Sequence, residues 1–67
     1  MTHEQAKKLM LLHQSGYVIL VDTDDADGTV SEIYEKNGEI VFDNDIFISA
    51  RLTQFNTDQV KSFKTIS

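Results

Sequence analysis

Cysteine, proline and tryptophan are absent from this 67-residue chain, and glycine occurs only three times. Without cysteine there are no disulfide staples and no thiolate metal sites, a composition that fits a reducing cytoplasm. Without proline, turns rest on Gly, Asn and Asp signals alone. Long apolar runs are missing too. The longest, Tyr17 to Val21, is far too short to span a bilayer, and Met1-Thr-His-Glu-Gln-Ala-Lys-Lys8 lacks the apolar stretch of a secretion leader. Neither membrane insertion nor export is expected. Basic residues are scarce, six Lys and Arg against eleven Asp and Glu, for a net charge of −5. That balance disfavours direct binding to a nucleic-acid backbone or an anionic membrane, and it favours a basic protein partner, a cation, or simple solubility.

The charge that is present is unevenly placed. Between Asp22 and Asp45 stand nine acidic residues against one basic one, Lys36, while the flanking stretches are slightly positive. A chain of this length is one domain, residues 1–67, near the size at which a single apolar core only just offsets chain entropy. Efficient burial or a shared subunit interface is needed, so homodimerisation is an open route.

Thr2 followed by Gln5 is a capping-box pattern, and Ala6, Leu9, Met10 and His13 recur at helical spacing. The pattern predicts a helix over about residues 3–15, with Leu11 and Leu12 widening its apolar face and Gly16 as the left-handed residue that stops it. Tyr17-Val-Ile-Leu-Val21 reads as a central strand or one covered on both faces. Asp22 to Gly28 reads as a hairpin loop, Thr29 to Glu35 as a second strand, and Asn37-Gly38 as a tight type I′ turn. A third strand is predicted over Glu39 to Phe42, a turn at Asp43-Asn44-Asp45, and a long fourth strand from the alternation of Ile46 to Phe55. Asn56 or Thr57 is placed to cap a short last helix, Asp58 to about Phe63.

The predicted fold is therefore α+β: an N-terminal helix packed on a four-stranded antiparallel meander, with a short C-terminal helix. In such a meander the first and third turns share one end of the sheet. Asp22, Asp24, Asp25, Asp27, Asp43 and Asp45 would then converge as an acidic pole.

Chemistry is weighed against that pole. An EF-hand register fails, because Gly28 at loop position 6 puts Thr23 at position 1 and Tyr34 at position 12, where a bidentate Glu is required. Catalytic signatures are missing: there is no nucleophile elbow, phosphate loop or HExxH, and Ser15 lies two residues from His13, a spacing that does not face on a helix. No catalytic residue, metal ligand set or cofactor is predicted. Tyr17, Phe42, Phe47, Phe55 and Phe63 exceed what one helix covers on one sheet face, which makes Phe47 and Phe55 candidates for an apolar interface. Short, acidic and cysteine-free, the chain is similar in general profile to many accessory proteins of bacteria and their phages.

These readings converge on non-enzymatic binding of a protein partner. The partner is a basic protein at the acidic pole, or a second copy held through an apolar sheet face or the long fourth strand. A second reading takes the carboxylates as mimics of nucleic-acid phosphates that occupy the basic groove of a DNA- or RNA-binding protein. A third is a weak divalent-cation site in the Asp22–Asp27 loop.

Overall fold

The computed structural model describes residues 1–25, 27–48 and 54–67, with the side chains of residues 45–48 left aside. The fold is α+β: helix α1 (His3–Gln14) precedes strands β1 (Val18–Thr23), β2 (Asp27–Lys36), β3 (Glu39–Ile48) and β4 (Gln54–Asn56). A 3-10 turn (Thr57–Gln59) then leads into β5 (Val60–Ile66). No helix among the described residues is long and apolar enough to cross a membrane.

Both ends of α1 form by local chemistry. The Gln5 amide donates to Thr2 Oγ1 at 3.1 Å, and the Thr2 amide donates to Gln5 Oε1 at 2.9 Å, closing the capping box. At the other end Gly16 takes φ +99°, its amide donates to the His13 carbonyl and that of Tyr17 to the Leu12 carbonyl. This is the paired bonding of a Schellman stop. The helix turns Ala6 and Leu9 into the core, where it touches β1, β2 and β3.

The sheet departs from the expected four-stranded meander. It has five strands in the order β4-β3-β2-β1-β5, every pair antiparallel. The turn expected at Asp43-Asn44-Asp45 is strand: β3 runs on to Ile48, with Glu32 opposite Asp43 and Val30 opposite Asn44. Burial of Phe42 and Val30 in one core carries the ladder through residues whose own preference is for turns. Register slips on either side of Val30, with Ser31 on β2 and Asp45 on β3 left unpaired in the ladder, sharpen the bend there. The long fourth strand divides: Ile46 to Ile48 end β3, residues 49–53 lie outside the described residues, and β4 is only three residues long. The last helix is replaced by the 3-10 turn and β5. Asn56 caps that turn, accepting from the Asp58 amide at 3.2 Å, while its own amide donates to Gln59 Oε1 at 3.0 Å.

One link reveals the curvature. β4 and β5 lie at opposite edges of the five-stranded sheet, yet only the 3-10 turn joins them. Edges of a flat sheet of this width stand about 19 Å apart, whereas four residue steps reach about 14 Å at most. The sheet is therefore curled, so that it covers its own apolar face with α1 across it. Ile19, Val21, Val30, Ile33, Ile40, Phe42, Phe55 and Val60 fill the interior with Ala6 and Leu9. Of the aromatic residues that demanded a second cover, Phe42 and Phe55 are buried inside this curvature, while Phe63 stays 41% exposed. Phe55, expected at an interface, is buried in the chain's own core against Phe42.

Candidate functional site

What the core leaves outside is the convex face and the two edges. Along β1 burial alternates: Ile19, Val21 and Thr23 point inward, while Val18, Leu20 and Asp22 lie on the convex face. β1 is an interior strand, one of its two expected placements, paired with β2 and β5; cover on both faces, the other, is not found among the described residues, and Val18 is 44% exposed.

Two pairs of carboxylates stand on the convex face. Asp22 lies directly opposite Asp27 at the β1–β2 turn, and Glu32 directly opposite Asp43 on β2 and β3. Like charges directly opposed across a ladder destabilise it. Asp22 and Asp27 belong to β1 and β2, not to the loop between them. Asp24 and Asp25 stay in that loop, where the Asp25 amide donates to Thr23 Oγ1 at 3.2 Å. Asp24 meets Lys61 of β5 at 3.5 Å, with both side chains well exposed, a geometry that contributes little stability.

Four of the six expected pole residues therefore gather around the first turn. Asp43 stands apart, because the turn that was to bring it there does not exist. Five ladder positions separate its partner Glu32 from Asp27, about 16 Å at strand rise. The side chains of Asp45 and Phe47 lie outside the described residues. Among the described residues no three His, Asp or Glu side chains gather as metal ligands.

Asp43 has a local partner. Tyr34 Oη donates to Asp43 Oδ1 at 3.2 Å and accepts from Gln54 Nε2 at 2.8 Å, linking β2, β3 and β4 on the convex face. Desolvation raises the Tyr34 pKa above its ordinary 10.0, helped by the negative charge of Asp43, the hydrogen bond to it, and the charge of Glu32; the Gln54 donor opposes the rise. His3 and His13 sit at opposite ends of α1, and Ser15 Oγ donates to the Leu11 carbonyl at 3.0 Å, a helix-end role.

The feature that sequence reasoning missed is the β5 edge. Among the described residues β5 pairs with β1 alone, and every residue from Lys61 to Ser67 is exposed. Phe63 is 41% and Ile66 49% exposed, and Ile66 lies directly across from Val18. An open dent of about 400 Å³ runs beside this edge, its walls including Asp22, Asp27, Ser62 and Lys64. The signal was residue type and not spacing: Val60, Phe63, Thr65 and Ile66 are all strand formers. Set against protein-family models, curated proteins and solved structures, the chain matches none of them.

Proposed function

We propose that this chain is a small non-enzymatic protein-interaction module that holds a protein partner along the β5 edge. The observation that carries the reading is the edge itself: seven residues long, paired on one side only among the described residues, and lined by exposed Phe63, Ile66 and Val18. Natural edges are ordinarily shortened, covered, bulged or charged; β5 has a bulge at Lys61 and two lysines, but residues 62–66 are regular and, among the described residues, uncovered. An uncovered stretch of edge is a template for strand addition. Backbone hydrogen bonds supply affinity in that mode, and the alternating side chains supply selectivity. The absence of cysteine supports a cytoplasmic setting.

The opposed pairs Asp22–Asp27 and Glu32–Asp43 favour a second reading, in which the convex face meets a basic protein surface as a mimic of nucleic-acid phosphates. A photo-crosslinking residue separates the two. Placed at position 63 or 66 in living host cells, it should yield protein adducts, while the same residue at 24 or 32 should yield few. Adducts from 24 and 32 alone would transfer the function to the acidic face. No adduct from any of the four positions would remove both readings.

A further inference from the structure

We infer that the occupant of the β5 edge is a second copy of this chain, joined β5 to β5, antiparallel, about a two-fold axis that passes between the two Phe63 residues. The inference rests on the reading of β5 as the binding edge and names its partner.

Strand register carries the first part. A two-fold axis perpendicular to a sheet brings together residues of the same face. β5 is regular over residues 62–66, Lys61 being an extra residue where the register against β1 passes from Asp22–Ser62 to Thr23–Val60; the dimer register is centred on Phe63. That register sets Phe63 opposite Phe63 of the second copy, and Ser62 opposite its Lys64. Shifting the axis to Lys64 would set the two lysines on each other, and shifting it to Ser62 would set Phe63 against Lys61, the bulge residue. The Phe63-centred register is thus the arrangement that pairs the two exposed aromatic rings and keeps the lysines apart.

Charge carries the second part. Across the convex face the ladder places Asp27, Asp22 and Ser62 in one row. Pairing β5 to its copy extends this row by the second copy's Lys64. Ser62 is small, so that ammonium reaches over it into the dent whose walls include Asp22 and Asp27. These two opposed carboxylates have no ion pair among the described residues, and each copy receives the lysine of the other. The like-charge pair that costs the isolated chain stability becomes the receptor for Lys64 at the interface. The symmetry closes on itself at two copies, giving one continuous ten-stranded sheet.

Sedimentation equilibrium tests the inference directly: the intact chain should show twice the mass of one chain, dissociating on dilution. A single-chain mass at millimolar concentration overturns it. So does a mass above two chains, which requires two unlike surfaces. Phe63→Cys should form an intermolecular disulfide readily under mild oxidation, because directly paired residues sit at a distance a disulfide bridges, and Lys64→Cys should not; equal rates overturn the register. Lys64→Glu should weaken the dimer about tenfold, and adding Asp22→Lys should restore it. An unchanged dimer in Lys64→Glu overturns the ion pairing. All these positions are at the surface, and circular dichroism checks that each variant is folded. A monomer that still crosslinks another protein from position 63 sinks the dimer and leaves the edge reading standing, whereas a monomer with no crosslink there sinks both.

Discussion

Phe42 and Phe55 stand directly opposite each other on β3 and β4, their rings parallel to within 5° and their centroids 5.6 Å apart. Both are buried, and they attach the three-residue β4 to the body of the sheet. So short a strand contributes few ladder bonds, and it is the ring stack that holds it in place. Phe55→Ala should therefore cost about 3–5 kcal/mol, close to the whole stability of a chain this small. Urea denaturation should show the variant largely unfolded without denaturant, and Phe55→Leu, which refills most of the volume, still folded.

Gly16 stops α1 at φ +99°, and a Cβ added there would meet nothing within 4 Å. The cost of Gly16→Ala is thus one of backbone conformation without steric collision, about 1 kcal/mol. A synthetic chain carrying D-alanine at position 16 should instead gain stability, since the mirror-image residue prefers that φ. Comparing the melting temperatures of the two epimers reads the difference.

Tyr34 titrates late in the folded chain. Its folded pKa is raised, so the folded state holds the phenolic proton at pH values where the unfolded state has released it. Stability is fully present below the ordinary value of 10.0 and falls as pH rises through the folded value. Tyr34→Phe should remove that alkaline loss, and ultraviolet titration of a Tyr17→Phe chain should place the ionisation of Tyr34 above 10.0.

Glu32 opposes Asp43 on the convex face, and Tyr34 already donates to Asp43. Glu32→Gln should stabilise the chain by about 0.5 kcal/mol. The gain should shrink in 1 M salt, where the Debye length falls to about 3 Å. Urea midpoints measured at low and high salt give both numbers.

Where structure is determined locally, the residues disclosed it. Thr2, Gln5 and Gly16 mark both ends of α1 with side-chain and backbone chemistry that acts within four residues, and Asn37-Gly38 takes the positive φ values that its turn requires. Where a distant partner decides, the local signal misleads. Asp43, Asn44 and Asp45 prefer turns, yet β2, whose Glu32 and Val30 pair with Asp43 and Asn44, holds this stretch extended through the shared burial of Val30 and Phe42. Val60 to Ile66 become a strand because β1 offers an edge some forty residues upstream. The acidic residues were legible as a class. Their division into two opposed pairs on the convex face depended on register, which bulges around Val30 alter by single residues.

The 3-10 turn between β4 and β5 also sets an order of events in time. The β2–β3 hairpin closes across a two-residue turn, so it forms without a large loop entropy. The β1–β5 ladder joins Val18 to Ile66 and must wait until the β1–β2, β2–β3 and β3–β4 pairings have curled far enough for a three-residue link to bridge the edges. Closure is the late and slow step of folding in a chain built this way, and until it occurs β1 stands open along the edge that β5 will occupy.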